Sequence, residues 1–365
     1  MFLSRAQKDI IISFSWRPAP RAWFFFGQAD FFKTHCASPH AILRVMPALQ
    51  AKPQISTDAA SLFERWFPLL AFSLLPFEVQ QMPVVDIGAH TGMDLVVPAA
   101  QQGHRVFAYE PSEMNMKKLE HNLRRHNVSF SRSCPLKDFR HSRPGAVRTQ
   151  LAAVSDAHGT ATFTLSTLYG GVANSLGGSA AMPPTYAAKS RNTTVATVRL
   201  DEEMAEETEG VYVLKIDSQG AEYRILSAAT SYIRQHVVLV LMLEFSPFLL
   251  AANGLNNPMG LVRLLSVDLR YQCFARHYKR SLFRNRTHDG ISMSLDKFSQ
   301  SFSPIPIPRN KFGDWTDLTC LRVDWLCSYG NLGTLLPRAW MRQVMQQRCS
   351  SPGAEGSTHV YFWSA

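Results

Sequence analysis

The stretch Val84-Val85-Asp86-Ile87-Gly88-Ala89-His90-Thr91-Gly92 constrains the fold more tightly than any other part of the chain. A short apolar run ends in an acid and a glycine-bounded turn. A helical segment follows, then Val106-Phe107-Ala108-Tyr109-Glu110, a second apolar run that again ends in an acid. This succession opens a βαβ unit, whose ligands sit at the carboxyl ends of parallel strands. A Cβ at Gly88 or Gly92 would occupy space beside the backbone, so both glycines are expected to leave room for a ligand. Glu110 stands about 20 residues past the turn, where a carboxylate can accept both hydroxyls of a ribose.

The turn reads D-x-G-x-x-x-G, whereas a dinucleotide site requires G-x-G-x-x-G to bring a helix N-terminus against a pyrophosphate. An acid at this place repels a pyrophosphate and suits an ammonium or sulfonium. S-adenosylmethionine carries both charges together with a ribose for Glu110. The residues therefore favour S-adenosylmethionine over a nicotinamide cofactor.

Length and composition narrow the setting. The chain of 365 residues has room for one large α/β domain with additions, and 46% apolar content supports a real core. Half of the net charge of +10 lies in residues 1–56, with seven Lys and Arg against two Asp. Beyond it no dense basic run interleaves with aromatics, which argues against nucleic acid as a partner. No apolar run reaches the roughly 18 residues of a membrane span. The basic, aromatic start reads either as an organelle leader or as an irregular extension, leaving cytoplasmic and organellar locations both open.

Cysteines stand at 36, 134, 273, 320, 327 and 349 with no C-x-x-C pair, so reduced structural thiols are the expectation. The glycosylation tripeptides at Asn127, Asn192 and Asn285 carry weight only if the chain enters a secretory lumen.

Read in order, residues 1–56 form the extension, 57–328 the main domain and 329–365 a tail without strong pattern. A helix is expected over 57–82. Strands are expected at Val84–Asp86, Val106–Tyr109, Leu151–Val154, Ala161–Leu165, Val195–Leu200, Val211–Asp217 and Val237–Leu243, with final strands at Tyr271–Phe274 and Cys320–Val323. The helix through Arg125 buries Met116, Leu119 and Leu123. Residues 131–147 read as a polar loop, and Glu202–Glu209 as an acidic solvated turn. The stretch Tyr169–Asn192, rich in Gly, Ser, Ala and Pro, is either a lid over the ligand or a flexible loop. Residues 275–318 read as a basic insertion.

Four of the expected parallel strands end at a carboxylate: Asp86, Glu110, Asp217 and Glu244. Converging on one crevice, these acids would repel one another unless a cation lay among them. A sulfonium ligand supplies that cation. No Asp-Asp-Asn ligand set is visible, and no metal is expected.

The segments DIGAHTG, FAYEPSEMN, LAAVSDAHGTATF, ATVRLDE, LKIDSQGAEYRIL and LEFSP, in this order and spacing, resemble the FkbM family over residues 82–250. The resemblance implies a Rossmann-like class I methyltransferase fold: α/β, with a mostly parallel seven-stranded sheet and helices on both faces. It also implies S-adenosylmethionine-dependent O-methylation of a small-molecule or carbohydrate acceptor. On it, Asp86, Gly88 and Gly92, with Ala89 and His90 between them, match the motif around the methionine end of the cofactor. Glu110 matches the ribose acid, and Ser155 and Asp156 match the loop near the adenine. Lys215, Asp217 and Glu222 match a second signature at the strand end facing the methyl group, and Asn174-Ser175-Leu176 a short segment of unassigned role. The family usually has Asn where His90 stands and Glu where Gln219 stands; His90 reads as a helix-start residue or a cofactor contact.

The expected base, or acceptor-orienting group, is Asp217, supported by Glu222 and Glu244, with His277 and His288 as outside candidates. The competing reading is a catalytically inactive module of the same fold that keeps the cofactor pocket. Neither acceptor identity nor oligomeric state is legible.

Overall fold

The computed structural model describes residues 77–166, 175–176, 190–276, 292–302, 314–329, 339–350 and 359–363. By its contacts the chain divides into Met1–His35 and Cys36–Ala365, and the described residues all belong to the second unit. Most of the expected 57–82 helix, most of the 169–192 stretch, Asn174, His277 and His288 lie outside them.

The main sheet is built on β1 (Val84–Ile87), β2 (Val106–Tyr109), β3 (Phe130–Arg132) and β4 (Val147–Gln150). A second sheet takes β5 (Ala153–Ser155), β6 (Gly159–Ser166), β7 (Ser175–Leu176) and β8 (Ser190–Arg199) in the order β5-β8-β6-β7. The chain then returns to the main sheet with β9 (Val211–Ile216), β10 (Val238–Phe245), β11 (Tyr271–Arg276), β12 (Ser292–Ser294), β13 (Thr316–Arg322) and β14 (His359–Trp363). Across that sheet the order is β12-β14-β11-β13-β10-β9-β1-β2-β4-β3. Neighbours run parallel from β3 to β10, and β13 is antiparallel to both of its neighbours. The seven strands from β4 to β11 form the expected mostly parallel sheet; β3 extends one edge, and β14 and β12 extend the other.

Strand alternation sends successive residues to opposite faces. Val84, Val106 and Ala108 join one apolar cluster, and Val85, Ile87, Phe107 and Tyr109 join the other. The helix Glu113–Arg125 buries Met116, Leu119 and Leu123 on the first face. The helix Glu222–Ala228 buries Ile225 and Leu226 on the second. With both faces covered, the central strands read as continuous apolar runs. Ser112 caps the former helix by accepting from the Asn115 amide, and Pro98 sits in the first turn of Val96–Gln101, where its missing N–H costs nothing.

Several expectations are corrected. The stretch read as a polar loop holds most of β3 and a short helix, Leu136–Phe139. The strand beside β2 is Val147–Gln150, which begins at that stretch's last residue, whereas Ala153–Ser155 belongs to the second sheet. Arg148 hid it: the side chain is buried because it donates to the Cys134 carbonyl and to Glu203. Half-buried Glu203 and buried Glu207 are accordingly partners of Arg148 and Arg105 rather than part of a solvated turn. The strand at 159–166 pairs antiparallel with β8 and β7. Residues 359–363, where the sequence shows no pattern, add β14 alongside β11.

The thiols are oxidised, not reduced. Cys273 and Cys320 face each other across β11 and β13 with Cα atoms 4.0 Å apart, and Cys327 is bonded to Cys349 on the helix Ala339–Cys349. Cys134 is also disulfide-bonded. Strand register and helix packing bring these pairs together, and neither is visible as sequence spacing.

Candidate active site

The carboxyl ends of β1, β2 and β9 meet at one point. After β1 the chain turns sharply: the Gly88 and Ala89 amides both donate to the Tyr109 carbonyl at the end of β2. Gly88 and His90 take left-handed φ values of +78° and +50°. A Cβ on Gly88 would run into the backbone carbonyl of Asp217, and one on Gly92 into a Leu119 methyl. The clearance expected for a ligand is thus taken up by the protein itself. The constraint at Gly88 is the firmer, since a backbone carbonyl cannot swing away as a leucine side chain can. His90 is a turn residue rather than a helix start, and its amide donates to Glu110 Oε2 at 2.8 Å.

Glu110 is buried, and burial pushes its carboxyl up to about 7 against the pull of the Ser112 and His90 amides. Oε1 accepts from the Ser112 amide (2.9 Å) and from Asn115 Nδ2 (3.4 Å). Each carboxylate oxygen has two lone pairs, so Oε2 keeps acceptor capacity beyond its bond to His90.

Asp86 stands beside Lys215 in the β1–β9 register, and Lys215 Nζ donates to Asp86 Oδ1 at 3.0 Å with both residues buried. Asp217 Oδ2 lies 3.8 Å from the same ammonium. Burial raises the Asp86 carboxyl and Lys215 draws it back. On Lys215 burial opposes charge, but attraction to Asp86, Asp217 and Asp94 prevails and raises it above its ordinary value. The two groups therefore form an ion pair. A cation among the acids was expected from a ligand; part of it is this lysine. Asp86 Oδ2 has no hydrogen-bond partner and is buried.

Asp217 is the accessible member, its side chain 27% exposed. Gln219, at φ +55°, donates from Nε2 to Asp217 Oδ1 at 2.9 Å, and its carbonyl accepts from Asn253. Glu222 is buried, with its carboxyl pushed up to about 7 by burial. Its Oε1 accepts from the Ser218 amide and hydroxyl (both 3.0 Å) and the Gly220 amide (3.2 Å), which cinches the loop carrying Asp217. Along β10, Met242 is in register with Lys215, so Glu244 lies two residues further along beside the Asp217 end, and across β13 it is in register with Asp317.

Ser155 and Asp156 close β5 in the second sheet. The Arg224 guanidinium grips Asp156 at 2.6 and 3.2 Å and, with the Ser155 hydroxyl, holds its carboxyl below the usual range. Their link to the site runs through Arg224, two residues past Glu222, not through the crevice carboxylates. Two acids escaped the sequence reading. Asp94 acts electrostatically on both Asp86 and Lys215. Asp317 is buried opposite Glu244. Asp94 was within reach, four residues past His90, whereas Asp317 becomes visible only through strand pairing. Among the described residues no group of three or more His, Cys, Asp or Glu is placed to hold a metal ion, and no helix is long and apolar enough to cross a membrane.

A profile of the methyltransferase FkbM domain matches residues 86–270, from Asp86 through the strands that carry Glu110, Asp217 and Glu244. The chain belongs to the FkbM methyltransferase family. No curated protein sequence matches it. Solved structures that resemble this FkbM chain include precorrin-6y C5,15-methyltransferase from Geobacter metallireducens, at 11% identity and TM-score 0.30, covering 74% of this chain and 92% of that one. An rRNA methylase from Streptococcus thermophilus is similar at 11% identity and TM-score 0.32, covering 75% and 99%.

Proposed function

We propose that this FkbM methyltransferase moves a methyl group from S-adenosylmethionine to a hydroxyl on a small-molecule or sugar acceptor. The observation that carries the reading is Asp86 Oδ2, a buried carboxylate oxygen left without a partner at the end of β1. An ammonium satisfies it, since a charge-assisted hydrogen bond relieves the desolvation cost of such an atom. At the end of the next strand Glu110 Oε2 retains a lone pair suited to a ribose hydroxyl. The two acceptors stand on adjacent strands, as a donor carrying both an ammonium and a ribose requires.

Bound there, S-adenosylmethionine supplies a methyl group on a sulfonium sulfur. The chain's part is alignment and proton removal. Asp217, open to solvent and steered by Gln219 and Lys215, accepts the acceptor's hydroxyl proton or orients that hydroxyl. Glu222 fixes the loop on which Asp217 stands, and Glu244 borders it. Holding reactants in line accounts for up to about 7–11 kcal/mol of barrier in favourable cases.

Calorimetry with S-adenosylmethionine tests the donor. The wild-type chain binds it. Glu110→Gln, which disturbs no ion pair, weakens binding about tenfold, near the ~1.5 kcal/mol of one hydrogen bond to a charged group. Asp217→Asn leaves binding intact and lowers turnover on a panel of hydroxyl acceptors. A folded wild-type chain that ignores the donor overturns the reading. Binding without transfer to any hydroxyl points instead to a module that only holds the cofactor.

A further inference from the structure

Two features of the described residues lie outside methyl transfer and point the same way. The first is Asn127-Val128-Ser129, a glycosylation tripeptide at the C-terminal end of the helix Glu113–Arg125. Asn127 takes the left-handed conformation, φ +56°, and its amide closes the turn on the Arg124 carbonyl at 3.1 Å. Val128 is half-buried and its amide donates to Leu123, so the middle residue anchors the turn while Asn127 and Ser129 are exposed. The arrangement displays the carboxamide and the hydroxyl outward on a fixed backbone. The tripeptide at Asn192 differs: Asn192 pairs in register with Thr164, whose hydroxyl donates to its Oδ1 at 2.9 Å. Asn285 lies outside the described residues.

The second feature is the cysteines. All five described ones, Cys134, Cys273, Cys320, Cys327 and Cys349, are disulfide-bonded. A reducing cytosol keeps thiols reduced, whereas secretory compartments form and preserve disulfides. N-linked glycans are added in such a lumen, so each feature calls for the compartment that the other requires.

We propose that the chain folds in an oxidising secretory lumen and carries an N-linked glycan on Asn127. In that step Asn127 Nδ2 forms a bond to the anomeric carbon of a lipid-pyrophosphate-linked oligosaccharide. The anomeric carbon–oxygen bond to the pyrophosphate breaks, the amide loses one proton, and the lipid pyrophosphate leaves. Each cysteine pair loses two electrons and two protons to an exchangeable disulfide of a luminal oxidoreductase, which becomes a dithiol.

The test uses the full chain isolated from its own cells, denatured and alkylated at lysis without reductant, then digested either directly or after reduction and a second alkylation. Peptide N-glycosidase in heavy-oxygen water converts a glycosylated asparagine into a labelled aspartate, read by peptide mass spectrometry. The expected result is label at position 127, with Cys273, Cys320, Cys327 and Cys349 alkylated only after reduction. Ser129→Ala abolishes the label and Ser129→Thr restores it, both at an exposed position where folding is undisturbed. An unlabelled Asn127 overturns the glycan, and cysteines alkylated without reduction overturn the compartment. Neither result bears on whether the chain binds S-adenosylmethionine.

Discussion

Two regions of the main sheet are held by different physics. At its centre, β1, β2 and β9 present a buried ion pair, Asp86 with Lys215, inside a ring of carboxylates. At the β11–β13 side the Arg322–Asp324 ion pair is joined by covalent bonds, Cys273–Cys320 between strands and Cys327–Cys349 between helices. The centre spends stability on charge that a ligand can use, while the edge recovers stability from cross-links. Damage to the centre should therefore cost both folding and binding, and damage to the edge folding alone.

The strongest way to break that contrast is Lys215→Met. It strands Asp86 in the core without its ammonium, and removing one partner of a buried pair costs about 3–5 kcal/mol. Denaturant unfolding reads this loss, and Asp86→Leu in the same chain should return much of it. If Lys215→Met is neutral, the pair is not what holds the crevice together.

Next comes the edge. Replacing Cys273 and Cys320 together with Ala removes a cross-link over a separation of 47 residues. Chain entropy puts that loss at about 4 kcal/mol, and nearer 3 for the shorter Cys327–Cys349 loop. Thermal melting without reductant should fall accordingly while affinity for S-adenosylmethionine holds. A large loss of affinity would show that the edge reaches the site.

Smaller again is a pH effect from Glu222. Its folded-state carboxyl is raised from 4.5 to about 7 by burial, so the folded chain holds a proton that the unfolded chain has released over that interval. Its contribution is full below pH 4.5 and is lost as pH rises through about 7, on the order of 3 kcal/mol in all. The unfolding free energy of Glu222→Gln should therefore decline less than the wild type's between pH 5 and pH 8. Parallel curves would remove Glu222 from the account. The smallest effect belongs to Arg224→Ala, since the pair with Asp156 is 42% and 39% exposed. Screening holds its loss below about 1 kcal/mol, read as a shift of the denaturation midpoint.

Much of this centre was legible beforehand. The apolar runs ending at Asp86, Glu110 and Asp217 mark parallel strands whose carboxyl ends carry the site, because such strands are buried on both faces and must break pattern where a ligand is met. The strand β4 was hidden because Val147-Arg148-Thr149-Gln150 alternates nothing; Arg148 is buried only because Glu203 and the Cys134 carbonyl meet it there. The glycines were legible as glycines. Their reason was not, since the Asp217 carbonyl that Gly88 must clear lies on a strand more than a hundred residues away.

By itself the sequence determined the order of the central strands' endings and the residue types placed there, since strand periodicity and turn chemistry are local. Only the tertiary structure decided that Lys215 pairs with one oxygen of Asp86, that Gln219 steers Asp217, and that the cysteines pair. Those facts depend on distances between segments far apart along the chain, and burial and electrostatics act on distances in space.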